Sequence, residues 1–199
     1  LDDVDPPELP SPDWVVVRPR LAGICGSDLA TIDGASSRYF QPIVSFPFVP
    51  GHEVVGELDD GTRVVLEPVL GCATRGIDPV CDACARGDLG NCERIAFGRL
   101  EPGLQTGFRC DTGGGWSTFM VAHRSQLHEV PDALSDEAAV MGEPAACAIH
   151  AALAAHAGPD DTVVVLGSGT LGLLTVAALR PWSPPAQLLP TAKHPDQNP

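Results

Sequence analysis

The chain has 199 residues, a formal net charge of −14 and 44% hydrophobic residues. This length is enough for one or two domains with an apolar core. The acidic charge argues against nucleic acid and anionic membranes as partners, because both would repel it. Glycine and proline, with 21 and 20 residues, are abundant, which indicates a turn-rich globular protein.

The N-terminus, the longest uncharged stretch and the cysteines indicate the cellular compartment. The N-terminus, Leu1-Asp2-Asp3, has no basic or apolar leader, so we expect no secretory signal. The longest uncharged stretch, residues 162–179, contains a Gly-Ser-Gly-Thr turn and predicts a strand and a helix rather than a membrane span. Seven cysteines without a secretory signal favour thiols or metal ligands over disulfides. We therefore expect a cytoplasmic protein.

The first part of the chain is predicted to be rich in short strands. They are expected at residues 14–17, 52–58, 62–66, 116–122 and 127–130. Glycine and proline residues separate nearly all of them, which is typical of a compact β-barrel. We place this β-rich domain at residues 1–134, and expect Trp116 to belong to its core.

Helices are predicted next. Ser135-Asp136-Glu137 is typical of a helix start, and Pro144 suits the first turn of a second helix. We interpret residues 135–160 as connecting helices between two domains.

The last part of the chain predicts a strand, a helix and a second strand. An apolar strand at residues 161–166 is followed by a glycine-rich turn and an apolar helix that ends near Arg180. The second strand, residues 187–191, contains Pro190, which is unusual inside a parallel sheet. Residues 161–199 thus predict the first βαβ unit of a dinucleotide-binding fold. Such folds need about six strands, so we expect this one to be truncated.

A cysteine cluster carries the most specific chemical signal. Cys81, Cys84 and Cys92 lie on one loop, and Cys72 lies nine residues before Cys81. Four soft ligands on one loop are what a closed, structural zinc site requires. Asp78, three residues before Cys81, is an alternative to Cys72 as the first ligand.

A second set of metal ligands is dispersed along the chain. Cys25, His52 and Glu143 offer one thiolate, one imidazole and one carboxylate, which would leave an open coordination position, as in a catalytic zinc site. Each of the three also has an ordinary structural interpretation, such as a core cysteine, a turn histidine or a carboxylate at a helix start.

A glycine motif follows the apolar strand directly. Gly167, Gly169 and Gly172 form a G-x-G-x-x-G pattern between a strand and a helix. In that context the backbone can approach a pyrophosphate at the helix N-terminus. The alternative is a tight turn that binds nothing.

Together these motifs resemble the zinc-dependent medium-chain dehydrogenase/reductase (alcohol dehydrogenase) family. The matching stretches are GICGSD at 23–28, PGHEVVGEL at 50–58, the cysteine lobe at 72–92, GGGWSTFMVAH at 113–123, EPAACAIHAAL at 143–153 and VVVLGSGTLG at 163–172. The resemblance implies a β-rich GroES-like barrel (α+β) followed by the start of an α/β Rossmann fold. Glu143-Pro144 is similar to the branch that contains sorbitol, threonine and glucose dehydrogenases.

The resemblance also implies roles for individual residues. The ligands that it assigns to a catalytic zinc are Cys25, His52 and Glu143, with Glu53 close enough to bind in some states. Ser27 would receive the proton of the substrate, and Asp28 would orient the ring of His52. For a structural zinc, the resemblance assigns Cys81, Cys84 and Cys92 as ligands. The usual position of its first ligand is occupied by Asp78, and we favour Cys72 because thiolate is the better zinc ligand.

The cofactor implied by the resemblance is NAD or NADP, with two zinc ions per chain. The residues expected to bind it are Gly167, Gly169, Thr170, Leu171, Gly172 and Lys193. At the end of the second strand the usual carboxylate is missing from Thr191-Ala192-Lys193-His194, and the next carboxylate is Asp196. Because an uncharged position followed by lysine can accept a 2′-phosphate, NADP is mildly favoured.

The function that these expectations support is hydride transfer between a secondary alcohol, polyol or sugar and NAD(P). The chain would be an incomplete, weakly active or inactive portion of such an enzyme, and full-length relatives would be homo-oligomers. The alternative is a zinc-binding remnant without catalysis that serves as a fold or interaction module. Cys110 and Cys147 are expected to be bystanders.

Overall fold

The structure, a computed structural model, describes residues 5, 7–35 and 44–193. None of the helices in these segments combines the length and the apolar character needed to cross a bilayer.

Contacts divide the chain into two compact units, Leu1–Val140 and Met141–Pro199. The division falls inside residues 135–160, the segment predicted to connect two domains.

The first unit is built on a five-stranded antiparallel sheet with the order β4-β1-β2-β3-β5. Its strands are β1 (Trp14–Ala22), β2 (Val54–Glu57), β3 (Arg63–Leu66), β4 (Met120–His123) and β5 (Leu127–Glu129). The first half of β1 pairs with β4 and its second half with β2, with a shift of register between Pro19 and Leu21. The long strand therefore passes from one neighbour to the other, and the sheet curls.

The buried face of this sheet is aliphatic. Its core consists of Val17, Val54, Val64, Leu66, Met120 and Ala122. These side chains come from four strands. In β3 they alternate with less buried neighbours, the period of two of a half-buried strand, whereas β2 and β4 each have three consecutive buried residues. Burial of this aliphatic surface stabilises the curled sheet.

Two predicted strand boundaries are wrong. Strand β1 continues to Ala22 instead of ending at Val17, because the register shift near Pro19 lets it change partners. Strand β4 begins at Met120, not at Trp116. The residues before it form a turn in which the Ser117 N–H and hydroxyl lie 3.2 and 2.7 Å from the carbonyl oxygen of Gly114.

The loop between β3 and β4 contains α2 (Asp82–Ala85) and is closed by one buried arginine. The guanidinium of Arg75 donates to the carbonyl oxygens of Leu70, Phe97 and Glu101 at 3.2, 3.3 and 3.4 Å, and also to that of Gly103. The side chain of Arg75 thus joins Leu70, near the beginning of the loop, to residues 97–103 on the far side of the cysteines.

The first unit also contains the short α-helices α1 (Gly26–Ile32) and α3 (Asp136–Ala139), and two 3-10 helices, Leu89–Asn91 and Arg124–Gln126. Asp136 at the start of α3 accepts hydrogen bonds of 2.8 Å from Arg20 on β1 and Arg63 on β3. These two arginines lower the pKa of Asp136. The pairs fasten the helix to the sheet.

The second unit contains two long helices and a two-stranded parallel sheet. Its elements are α4 (Gly142–Ala154), β6 (Thr162–Leu166), α5 (Thr170–Trp182) and β7 (Gln187–Thr191). Ala152 of α4 packs against Ala178 and Leu179 of α5. The predicted βαβ unit is confirmed. Pro190 lies opposite Val165 in the parallel register, on a strand that has one neighbour within the described residues, which is where a strand proline is tolerated.

Candidate functional site

Four thiols converge in the loop closed by Arg75. The sulfur atoms of Cys72, Cys81, Cys84 and Cys92 all lie within 4.8 Å of one another, and those of Cys72 and Cys92 are 3.7 Å apart. In a tetrahedral zinc–thiolate site with Zn–S bonds of about 2.3 Å, sulfur atoms are about 3.8 Å apart. The donor set and its spacing therefore fit zinc, and four thiolates would leave no position for a substrate.

Backbone N–H groups surround these sulfur atoms. The N–H of Cys81 lies 3.4 Å from the sulfur of Cys72, and the N–H of Cys72 lies 3.4 Å from the sulfur of Cys84. The N–H of Arg94 lies 3.4 Å from the sulfur of Cys92. Backbone donors lower the pKa of Cys81, whereas burial raises the pKa of Cys72. Such donors stabilise thiolates, the form that binds a metal.

Among the described residues, the geometry favours Cys72 over Asp78 as the fourth member of this cluster. The group whose ligand atoms converge contains Cys72, whereas Asp78 is exposed and is not one of its members. Gly71 packs closely against this cluster, since a Cβ at its position would lie 3.2 Å from the sulfur of Cys84. The zinc assignment itself stays a prediction.

A second group of possible ligands combines Cys25, His52 and Glu53, one ligand atom of each lying within 4.8 Å of the others. Cys25 immediately precedes α1 as its N-cap. His52 and Glu53 lead into β2 after Gly51, whose φ of +102° is readily accessible only to glycine. The two sequence motifs are thus brought together by the paired strands β1 and β2.

The side chain of Asp28 contacts both motifs. Its side chain is 1% exposed, and Oδ2 accepts a 2.9 Å hydrogen bond from the N–H of Cys25. Oδ1 lies 3.3 Å from Nδ1 of His52, as an ion pair. Burial alone would lower the pKa of His52, but the Asp28 carboxylate, assisted by Cys25, raises it to about 9. A metal ion at His52 competes with that proton.

Two neighbours of this site were not found from the sequence. The ring of Phe108 lies 5.4 Å from that of His52. Trp116, which we predicted to be a core residue, is 37% exposed, and its indole Nε1 donates a 3.1 Å hydrogen bond to the carbonyl oxygen of Gly23. The interpretation of Trp116 as a core residue is therefore wrong. Nothing in the spacing of these aromatic residues signals such contacts.

Ser27 and Glu143 each lie in the first turn of a helix. Ser27 lies in the first turn of α1, two residues after Cys25. Glu143 lies in the first turn of α4, in the second unit, where its Oε1 is 3.5 Å from the sulfur of Cys147. Their assigned roles as proton acceptor and zinc ligand stay predictions.

The glycine motif forms a tight turn between β6 and α5. Gly167 has a φ of +108°, and a Cβ at Gly172 would lie 1.9 Å from the carbonyl oxygen of Gly167. Around Gly169, the N-cap of α5, there is open space. These are the three properties that a phosphate-binding turn requires: a positive φ, close packing of the helix on the strand and an accessible backbone.

The end of β7 lies beside this turn. The hydroxyl of Ser168 donates to the carbonyl oxygen of Thr191 at 2.7 Å, and the N–H of Gly167 lies 3.2 Å from the hydroxyl oxygen of Thr191. Lys193 is exposed, whereas His194 and Asp196 lie outside the described residues. The predicted cofactor residues of the turn and Lys193 thus belong to one end of the parallel sheet.

Most of the first unit matches a known protein family. Residues 11–132 match the model of the alcohol dehydrogenase GroES-like domain, which is more than half of the chain. The chain belongs to the zinc-dependent medium-chain alcohol dehydrogenase family. The predicted family and the predicted GroES-like fold followed by an α/β unit are confirmed.

Named relatives agree with this family. The chain is 32% identical over 198 residues to L-idonate 5-dehydrogenase of Vitis vinifera, covering 94% of this chain and 50% of the relative. It is 30% identical over 178 residues to sorbitol dehydrogenase of Bacillus subtilis (strain 168), covering 84% and 46%. The chain thus spans about half the length of the curated relatives that it matches.

A solved structure shows the same fold with a cofactor. The crystal structure of a short chain alcohol dehydrogenase from Escherichia coli CFT073, complexed with NADH, matches with a TM-score of 0.73 and 28% identity. The match covers 94% of this chain and 51% of that one.

Proposed function

We propose that this chain forms part of a zinc-dependent dehydrogenase that transfers hydride between a secondary alcohol, polyol or sugar and NAD(P). The observation that carries this proposal is the convergence of Cys25, His52 and Glu53 within 4.8 Å in front of the buried Asp28. The names of the relatives, which include an idonate and a sorbitol dehydrogenase, support polyols and sugars as the substrate class. A cytoplasmic location and homo-oligomers belong to the same proposal.

The chemistry of the donor set fits zinc. A thiolate, an imidazole and a carboxylate are the ligand types that zinc takes in catalytic sites. Bound there, zinc would act as a Lewis acid that lowers the pKa of a substrate alcohol. Glu143 is proposed as a further ligand from the resemblance.

The residues around the ligands have defined tasks. Asp28 holds the N–H of Cys25 with one carboxylate oxygen and faces Nδ1 of His52 with the other. It therefore fixes the two ligands relative to each other and favours their charged or metal-bound forms. Ser27, in the first turn of α1, is proposed to accept the proton of the substrate.

The cofactor is proposed to bind at the turn from Gly167 to Gly172. Among the described residues at the end of β7, Thr191, Ala192 and Lys193, there is a lysine and no carboxylate. This favours NADP over NAD, since a carboxylate binds the ribose hydroxyls of NAD and would repel a 2′-phosphate. The four-thiol cluster is proposed to hold a second, structural zinc.

Activity of these 199 residues is proposed to be weak or absent. In the second unit, Leu166 is 84% exposed, and Val164 and Leu189 on the same sheet are 52% and 49% exposed. A parallel sheet normally has both faces covered. The alternative function, a zinc-binding remnant without catalysis, is favoured by the same exposed surface.

The two functions differ in whether the Cys25 site has an open coordination position. The test is cobalt substitution, followed by addition of imidazole as a small metal-directed probe and of a polyol. We expect imidazole to change the absorption of the cobalt protein, and the change to be absent in Cys25→Ser but present in the control Cys110→Ser. A cobalt spectrum that imidazole leaves unchanged would contradict the proposal. NADP+ reduction with sorbitol, measured on the same proteins, tests whether weak turnover also depends on Cys25.

A further inference from the structure

The indole of Trp116 lies between the two chain segments that carry the ligands of the proposed catalytic zinc. Its Nε1 donates a 3.1 Å hydrogen bond to the carbonyl oxygen of Gly23, two residues before Cys25. A Cβ built on Gly51, which directly precedes His52, would lie 2.6 Å from the adjacent ring atom, Cδ1 of Trp116. One ring edge therefore contacts both segments.

The contact with Gly23 extends to Glu53. The N–H of Gly23 donates a 2.8 Å hydrogen bond to the carbonyl oxygen of Glu53. A Cβ at Gly23 would lie 1.9 Å from Oε2 of Glu53, so the carboxylate rests directly against the glycine. Gly23, whose carbonyl oxygen Trp116 binds, is therefore also the residue against which the Glu53 side chain rests, two positions before Cys25.

The contact with Gly51 is reinforced by the backbone. The N–H of Trp116 donates to the carbonyl oxygen of Pro50 at 3.1 Å, and the N–H of Gly115 donates to that of Gly51 at 2.8 Å. The positive φ of Gly51 and the closeness of the indole together exclude a side chain there. The turn that precedes His52 thus packs against the ring of Trp116.

We propose that Trp116 is a positioning residue for the metal site formed by Cys25, His52 and Glu53. It fixes the distance between the Gly23 and Gly51 segments through its indole N–H and ring edge, and so acts through the residues that carry the ligands. The inference rests on the proposed function, because it takes this site to bind a metal. The exposed fraction of 37% distinguishes Trp116 from core residues such as Trp14, which is 2% exposed.

The test compares Trp116→Phe with the matched control Trp182→Phe in the full chain. Phenylalanine keeps an aromatic ring against Gly51 but cannot donate to Gly23. Trp182 is also an exposed tryptophan, at 54%, and lies in the second unit. Zinc affinity is measured by competition with a chromophoric chelator, and cobalt spectra distinguish the one-thiolate site from the four-thiolate site by the strength of sulfur charge transfer.

We expect Trp116→Phe to weaken zinc binding at the one-thiolate site by about threefold to tenfold, the effect of one neutral hydrogen bond. The d–d bands of cobalt at that site should shift, while the four-thiol site and the melting temperature stay as in Trp182→Phe. Equal affinities in Trp116→Phe and the parent chain would overturn the inference. So would a parallel loss at both sites together with a lower melting temperature, which would indicate a structural role only.

The parent chain separates this inference from the proposed function. If it binds a single metal ion that the Cys25→Ser substitution does not affect, the proposed catalytic site is wrong and the role of Trp116 is wrong with it. If the parent chain binds two ions and only the expected effect of Trp116→Phe is missing, the inference alone fails.

Discussion

The two ligand clusters of this chain are assembled in opposite ways. The four thiols come from one segment, Cys72 to Cys92, and the buried Arg75 donates hydrogen bonds to backbone carbonyls on both sides of it. Cys25, His52 and Glu53 come from two distant segments that meet through the pairing of β1 with β2. The first set is determined by local spacing, and the second depends on the sheet.

The surroundings of the clusters differ in the same way. Backbone N–H groups of the loop itself donate to the thiols, so the loop that supplies the ligands also stabilises them. The other cluster is supported by two side chains that are not ligands, Asp28 and Trp116. We infer that a metal stabilises the fold in the first case, whereas the fold prepares the metal site in the second.

The largest expected effect is the loss of one thiol from the loop. Cys84→Ser should lower the melting temperature by on the order of 10 °C, because a structural zinc site contributes directly to folding free energy. Thermal unfolding followed by circular dichroism measures this change. Cys110→Ser, at an exposed cysteine outside the cluster, is the control and should melt like the parent chain. Equal melting temperatures for the two variants would refute a structural role of the cluster.

Cys25→Ser should have a smaller effect on stability. The segments around Cys25 are held by the sheet and by Trp116, so we expect a decrease of about 5 °C or less although the metal of this site is lost. The same unfolding experiment applies. A decrease as large as that of Cys84→Ser would remove the distinction between the two clusters.

Asp28→Asn tests the support of the second cluster. The amide oxygen can still accept the hydrogen bond from Cys25, but the charge that faces His52 is gone. We expect zinc affinity at this site to fall by about tenfold to a hundredfold, as is usual when a carboxylate behind a metal-binding histidine is replaced. Competition with a chelator measures it. An unchanged affinity would show that Asp28 does not orient His52.

Asp136→Asn concerns a part of the first unit outside both clusters and should have the smallest effect. Arg20 and Arg63 lower the pKa of Asp136, so its ion pairs stabilise the fold above the unfolded-state pKa of about 3.9. That stabilisation disappears as the pH falls through the lowered pKa of the folded state. In urea unfolding, the parent chain should be more stable than Asp136→Asn at pH 7, and the difference should shrink towards pH 3. A difference independent of pH would contradict the ion pairs.

Local sequence patterns predicted the loop cluster and the βαβ unit well. The spacing of Cys81, Cys84 and Cys92 specifies one site, and β7 has the predicted bounds Gln187–Thr191. The sequence predicts too early a start for β4, at Trp116, because Trp116 and Phe119 are typical of a strand. In the structure the N–H groups of Trp116 and Ser117 instead donate to the carbonyl oxygens of Pro50 and Gly114.

Contacts between distant segments could not be predicted in the same way. The motifs around Cys25 and His52 suggested a shared site through the family resemblance, since spacing alone left several interpretations open. The contacts of Trp116 with Gly23 and Gly51 depend on the closeness of three backbone segments. Glycines permit that closeness, but their positions in the sequence do not say which aromatic ring will fill the space.

The number of zinc ions per chain tests the central claim most directly. Metal analysis of the purified 199-residue chain should give two zinc ions, one of which is absent in Cys25→Ser and the other in Cys84→Ser. This result would establish two separate sites, one built by the loop and one by the sheet. A single zinc ion that Cys25→Ser leaves in place would contradict the account, because the cluster of Cys25, His52 and Glu53 would then hold no metal.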